Sequence, residues 1–256
     1  MTRTGAGATG NRLGLPETIA AALFDLDGVL TSTAELHERA WKQIFDEFLA
    51  ARCGPGFRPF SAADYADHVD GRPRLDGVRE FLRTRDITVP EGNSEDAPDE
   101  WTVRAIGDRK DRLLKTMIGR DGVHVYPGSV DYLSAVRVSG LRIAVVSSSA
   151  NAAAVLDAAD LARFVEVRVD GNTFAQRGLR GKPAPDGFLA AAGQLGVSPG
   201  GAAVFEDAVA GVEAGHAGRF GFVVGVERRG DDRHAEALRA AGADVVVSDL
   251  AELAES

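Results

Sequence analysis

Short apolar runs recur along the chain, at residues 19–24, 141–146, 164–169, 202–205, 220–226 and 244–247. Each is brief, rich in β-branched residues and bounded by polar or glycine positions. That is how parallel strands buried on both faces read, because neither face needs polar residues. Between the later runs the apolar residues fall at helical spacing, over 129–138, 151–159, 185–195, 209–217 and 233–241. Strand and helix thus alternate from residue 127 onward. The pattern predicts an α/β fold, a doubly wound parallel sheet with helices on both faces.

The first run is separated from the second by about 110 residues, too long for a single crossover. Helical spacing fills this gap over 33–51, 61–69, 74–85 and 100–118. On the first of these, Leu36, Ala40, Ile44 and Phe48 form an i, i+4 stripe that Trp41 and Phe45 widen. The pattern predicts a helical cap over 33–122 inserted into a core made of 17–32 and 123–256, with hinges near 31–33 and 120–125. Residues 1–16, rich in Gly, Thr and Ala, read as a disordered leader.

Ligands of open α/β sheets bind where the strands end, so the residues following each run carry the functional signal. After the first come Asp25 and Asp27, two carboxylates whose crowding calls for a cation or a shared proton. Ser147, Ser148, Ser149 and Asn151 follow the second. Gly181-Lys182-Pro183 precedes a helix, and Glu206-Asp207 ends the fourth run. Acids that hold Mg²⁺, a hydroxyl and a lysine for phosphoryl oxygens, and a carboxylate free to attack phosphorus would make a phosphotransfer site. Taken singly, each residue has a plainer reading: Asp207 and Ser147 as helix caps, Lys182 as a loop lysine, His37 as a structural helical histidine, Arg74 and Lys110 as surface charges.

Composition narrows the field. With 45% apolar and 26% charged residues, the 256-residue chain suits an ordinary soluble globular protein. A net charge of −9 argues against nucleic-acid binding but not against a small phosphorylated substrate, because a local cluster of cations can override the global field. Cys53 is the sole cysteine, so no intramolecular disulfide can form, which fits a reducing cytoplasm. No apolar run approaches the ~20 residues of a membrane span. Gly178–Lys182 is not a P-loop, the Gly211, Gly215, Gly218 series is not a dinucleotide fingerprint, and His216 and His234 lack metal-ligand spacing.

Four stretches together, Asp25-Leu-Asp27-Gly-Val, Val146-Ser147-Ser148, Gly181-Lys182-Pro183 and Glu206-Asp207, resemble the four motifs of the haloacid dehalogenase superfamily. The resemblance covers the chain from about residue 18 to its end. Within that superfamily the chain is most similar to the β-phosphoglucomutase subfamily. Residues 25–41, with Thr33, His37 and Trp41, resemble that subfamily's first motif and first cap helix, and Gly71-Arg-Pro-Arg74, Arg109-Lys110 and Tyr126-Pro127-Gly128 match as well. One departure is Ala150, where the subfamily typically carries a lysine.

The resemblance implies a Rossmann-like core with a cap, Asp25 as nucleophile and Asp27 as general acid and base. It implies Mg²⁺ on Asp25, the Asp27 carbonyl, Glu206 and Asp207. Ser147 and Lys182 would serve the transferred phosphoryl group, and Thr33, His37, Arg74, Lys110, Ser148, Ser149 and Asn151 the substrate, a small phosphorylated sugar. The expected activity is interconversion of β-D-glucose 1-phosphate and glucose 6-phosphate through a bisphosphate. A sugar-phosphate phosphatase is the alternative, which fold and motifs do not separate. The second Asp and the large cap disfavour a non-enzymatic receiver module. A monomer is expected.

Overall fold

The structure, a computed structural model, describes residues 13–97, 100–228 and 230–254. Six parallel strands form one sheet: β1 (Ala21–Phe24), β2 (Arg142–Val146), β3 (Val167–Val169), β4 (Ala202–Glu206), β5 (Phe222–Val226) and β6 (Val245–Val247), in the spatial order β3-β2-β1-β4-β5-β6. β1 therefore sits at the centre, where the order of connection reverses. Phe24 is in register with Val145 on one side and Phe205 on the other, so the three central strands end level. The Asp25 N–H donates to the Phe205 carbonyl at 2.9 Å, extending the ladder one residue past β1.

Helices α1 (Thr33–Cys53), α2 (Ala62–His68), α3 (Arg74–Thr84) and α4 (Val103–Asp121) lie between β1 and β2. They are followed by α5 (Pro127–Val138), and then by α6 (Ala152–Ala158), α7 (Gly171–Arg177), α8 (Asp186–Leu195), α9 (Val209–Ala217), α10 (Asp232–Ala240) and α11 (Ala251–Ala254). Alternate residues of the central strands enter opposite cores, as strand geometry requires. Phe24, Val145 and Phe205 pack with Tyr132 and Leu133 of α5, while Leu23, Ala144 and Val204 pack with Phe188 of α8 and Val212 of α9. The Phe24 and Phe205 rings stack 4.3 Å apart, and Tyr132 meets Phe205 edge-on.

The helices α1–α4 bury an apolar core of their own, built from Trp41, Phe45, Phe48, Phe60, Phe81 and Ile106. Helix starts are marked chemically: Ser61 and Asp64 form a capping box at α2, and the Thr102 hydroxyl caps α4. Two linkers run to and from this cap side by side. Ser32 N–H donates to the His124 carbonyl at 2.9 Å, and Tyr126 N–H to the Leu30 carbonyl at 3.2 Å. The Ser148 hydroxyl donates to the Gly71 carbonyl at 2.6 Å and the Asn151 amide to Asp111 at 2.8 Å, tying cap to core.

Some local expectations shift. The run 164–169 divides into a 3₁₀ turn at Ala162–Phe164 and the short edge strand β3, because Phe164 is spent on the core as a turn residue. Helix α7 lies where the apolar pattern gives no helix; Asp170 starts it by accepting the Thr173 N–H at 2.9 Å. The expected leader falls largely outside the described residues. Leu13 and Leu15, at its end, are buried with α5 and α11, and the Tyr132 hydroxyl donates to the Leu13 carbonyl at 2.8 Å. Among the described residues no helix is long and apolar enough to cross a membrane.

Candidate active site

Level strand ends gather the motif residues at one edge of the sheet. Asp25 follows β1, Glu206 ends β4 and Ser147 follows β2, while Lys182 reaches the same place from the loop before α8. Its ammonium lies between Asp25 Oδ1 and Glu206 Oε1, with the Val146 carbonyl 3.4 Å away. Lys182 and Glu206 are almost fully buried and Asp25 nearly so. Burial pushes the Asp25 carboxyl well above the usual carboxylate range, against the pull of Lys182, and neighbouring Glu206 and Asp27 add to the rise. Burial likewise raises Asp207, reinforced by Asp70 and Glu206. The Lys182 ammonium, flanked by two carboxylates, is held protonated despite its burial.

Gly28 explains how the acids come so close. It takes a positive φ of 95°, and a β-carbon there would lie 1.8 Å from Asp207 Oδ2. Only glycine lets this carboxylate rest against the backbone beyond Asp27.

Asp27 is held from two directions. The Thr33 hydroxyl at the start of the cap donates to Oδ1, and the Ser147 hydroxyl from the core donates to Oδ2 at 3.2 Å. His37 Nε2 stands 3.6 Å from Oδ1, and its Nδ1 faces the Lys110 ammonium at 3.0 Å. Burial, then Lys110, lowers the His37 pKa to about 4, so the ring is neutral at pH 7. Lys110 lies 5.1 Å over the Trp41 ring, and burial brings its pKa down to about 7.

A cavity of about 550 Å³ runs between cap and core. Asp25, Asp27, Glu206 and Asp207 line one end, Arg74, Arg104 and Lys110 line its cap side, and Asn151 lines it from the core. Arg74 is paired with carboxylates of the protein itself, Asp108 at 2.8 Å and Asp111 at 3.1 Å, and its Nε is buried without a hydrogen-bond partner among the described residues. Arg104 holds the other oxygen of Asp108 at 2.9 Å. Asn151 bonds to Asp111, and Ser149 is occupied with the Asn151 N–H at 3.2 Å. Of the candidate site residues, Asp25, Asp27, His37, Arg74, Lys110, Ser148, Ser149, Asn151, Glu206 and Asp207 line this cleft, while Thr33 and Ser147 reach Asp27, and Lys182 reaches Asp25, from its border.

A family model described as haloacid dehalogenase-like hydrolase matches residues 19–219. The chain belongs to the haloacid dehalogenase-like hydrolase family. Within it, the chain is 54% identical over 245 residues to a protein of Mycobacterium tuberculosis named β-phosphoglucomutase, covering 94% of each chain. It is 32% identical over 207 residues to a β-phosphoglucomutase of Bacillus subtilis, covering 80% of this chain and 83% of that one. A crystal structure of β-phosphoglucomutase from Clostridium difficile superposes with a TM-score of 0.72 at 25% identity, over 92% of this chain and 93% of that one. The doubly wound haloacid dehalogenase core with its helical cap is thereby the fold of this chain.

The acidic end fits a hard divalent cation in its chemistry. Asp25, Glu206 and Asp207 offer only oxygen donors at one end of the cavity, the donor type a hard cation takes. Among the described residues no three acidic or imidazole side chains already surround a common point; Lys182 occupies the gap between Asp25 and Glu206. Sequence reasoning missed Asp108, Asp111 and Arg104. Their only signal is helical spacing on α4, with Arg104–Asp108 and Asp111–Lys115 each four apart.

Proposed function

We propose that this chain is a β-phosphoglucomutase, interconverting β-D-glucose 1-phosphate and glucose 6-phosphate by two transfers through Asp25. The observation that carries the reading is one cavity with acids at its core end and Arg74, Arg104 and Lys110 on its cap side, because a mutase must hold two phosphoryl positions of one sugar at once. The 54% identity to a protein named β-phosphoglucomutase supports it.

In one transfer an Asp25 carboxylate oxygen bonds to the 1-phosphorus of the sugar bisphosphate as the bond to the sugar oxygen breaks, giving an aspartyl phosphate and glucose 6-phosphate. Asp27 supplies the leaving oxygen's proton. In the other, Asp27 takes the proton of the 6-hydroxyl of β-D-glucose 1-phosphate, which attacks the aspartyl phosphate's phosphorus, freeing Asp25 and regenerating the bisphosphate. Thr33 and Ser147 hold Asp27 from cap and core, so its position depends on the cap's. Lys182 fixes Asp25 against Glu206 and offsets charge as the phosphoryl group arrives. Asp25, the Asp27 carbonyl, Glu206 and Asp207 would hold Mg²⁺, which supplies charge neutralisation of the transferring group. Arg74 and Lys110 would bind the non-reacting phosphate, with Asn151, Ser148 and Ser149 beside them. That phosphate must displace Asp108 and Asp111 from Arg74. Cap closure keeps water from the aspartyl phosphate.

Ala150 favours a second reading. It lines the cavity where the subfamily typically has lysine, so a bisphosphate meets one cation fewer. A looser hold on the bisphosphate would let water take the phosphoryl group, making the protein a sugar-phosphate phosphatase. Incubating the protein with β-D-glucose 1-phosphate, Mg²⁺ and a trace of glucose 1,6-bisphosphate separates the two. Glucose 6-phosphate as main product is expected, and Asp25→Asn should abolish it. Free phosphate as main product would establish the hydrolase instead.

A further inference from the structure

Arg228 lies just beyond β5, outside the cavity wall, and its side chain is only 12% exposed. One guanidinium there binds three separate segments. Nε faces the Gly28 carbonyl at 3.4 Å and Nη2 donates to the Val29 carbonyl at 2.9 Å. Nη2 also meets the Ser129 hydroxyl at 2.8 Å, and that hydroxyl donates to the Val29 carbonyl at 2.7 Å. Nη1 donates to the Ser248 carbonyl at 3.1 Å and pairs with Asp249. The guanidinium carbon lies 3.9 Å over the Tyr126 ring centroid. Asp249 in turn rests on the start of α5, where a β-carbon on Gly128 would lie 1.7 Å from its Oδ1.

Two of these segments are the roots of the cap. Gly28 and Val29 begin the outgoing linker, directly after Asp27; Tyr126 to Ser129 end the returning one. Between them run the cross-linker bonds from Ser32 to His124 and from Tyr126 to Leu30. Ser248 and Asp249, the third segment, belong to the core, between β6 and α11. The forked, planar guanidinium can serve all three at once, which a lysine ammonium on a single stem cannot.

We infer that Arg228 is a positioning residue for phosphoryl transfer: it clamps both cap linkers to the core, so that the cap's Thr33 and His37 meet Asp27 in one register. The inference rests on the mutase reading. It touches no reacting atom. Its loss diverts phosphoryl groups from the sugar hydroxyl to water, because a cap on slack linkers seals the site less often.

The test uses the full chain as wild type, Arg228→Lys, Arg228→Met and Asp249→Asn. Hydrogen exchange is read at the Ser32 and Tyr126 amides, and product partition between glucose 6-phosphate and free phosphate is read in the assay described above. In Arg228→Met the two linker amides should exchange about tenfold faster while the Asp25 amide is unchanged, as expected for lost charge-assisted bonds at one locus. The free-phosphate share should rise several-fold, about in step with linker opening. Arg228→Lys and Asp249→Asn should fall between that variant and wild type, and they carry the test if Arg228→Met does not fold. Unchanged linker exchange overturns the clamp. Faster exchange with unchanged partition reduces Arg228 to a structural residue. If wild type itself yields mainly free phosphate, the mutase reading fails, and the exchange measurement still decides whether Arg228 anchors the linkers.

Discussion

Burial beside Trp41 and the neutral His37 ring lowers Lys110 from the ordinary lysine pKa of 10.5 to about 7. A lysine depressed in the folded state binds fewer protons folded than unfolded between those two values. Its burial therefore costs stability in full below pH 7, and the cost fades as pH rises toward 10.5. Lys110→Met should raise the denaturation midpoint most at pH 6 and progressively less toward pH 10, while KM for sugar phosphate increases at neutral pH. Urea unfolding across that range checks the first part and steady-state kinetics the second. An equal gain at both ends of the range would mean that the lysine is not held in this depressed state. The same residue shows how far a sequence goes. Its place beside Arg109 on a cap helix is legible in the sequence. The partners it has in the structure, Trp41 and His37, come from another helix, and only the packing of α1 on α4 joins them.

Between helices α3 and α4, Arg74 and Arg104 share the Asp108 carboxylate, and Arg74 also holds Asp111. The two acids differ in what they do. Asp111 links α4 to Asn151 of the core, whereas Asp108 binds cap residues alone and competes with any anion that approaches Arg74. A partly exposed pair of this kind contributes about 1 kcal/mol. Asp108→Ala should accordingly lower KM for sugar phosphate about fivefold with kcat nearly unchanged, as for a uniform gain in ground-state and transition-state binding. A raised KM would show that Asp108 orients Arg74 more than it blocks it. At this scale the central strands and long helices could be read from periodicity alone, since burial on both faces imposes continuous apolar runs. What could not be read lies where local chemistry outweighs periodicity: the Asp170 cap that starts α7, the turn that claims Phe164, and the burial of Leu13 and Leu15 against α5.

For the molecule as a whole, crowding of Asp25, Glu206 and Asp207 about one lysine opposes stability, and a bound divalent ion would relieve it. Mg²⁺ at a hundredfold excess over its Kd should stabilise the protein by about 2.7 kcal/mol, seen as a rise in Tm over a chelator control. Asp207→Asn should raise metal-free stability by about 1–2 kcal/mol, because a raised carboxyl pKa marks a group whose charge the fold opposes. It should also erase the Mg²⁺-dependent shift. A Tm in the variant that still follows Mg²⁺ as in wild type would remove Asp207 from the metal's ligands. These outcomes belong to the assembled molecule, since the acids come from β1 and β4 while cap residue Asp70 adds to the rise of Asp207.

The level ends of β1, β2 and β4 bear on how such a chain can evolve. Strands that are apolar on both sides carry little information about alignment, because sliding one past another exchanges like for like. Here the Phe24–Phe205 stack and the bond from the Asp25 N–H to the Phe205 carbonyl supply it. A slip of one residue along β4 would bring Phe205 or Asp207 to the height of Glu206 and carry Glu206 away from Asp25 and Lys182, dismantling the candidate site. Substitutions at Phe24 or Phe205 are thus expected to disturb chemistry as well as stability, although neither ring lines the cleft.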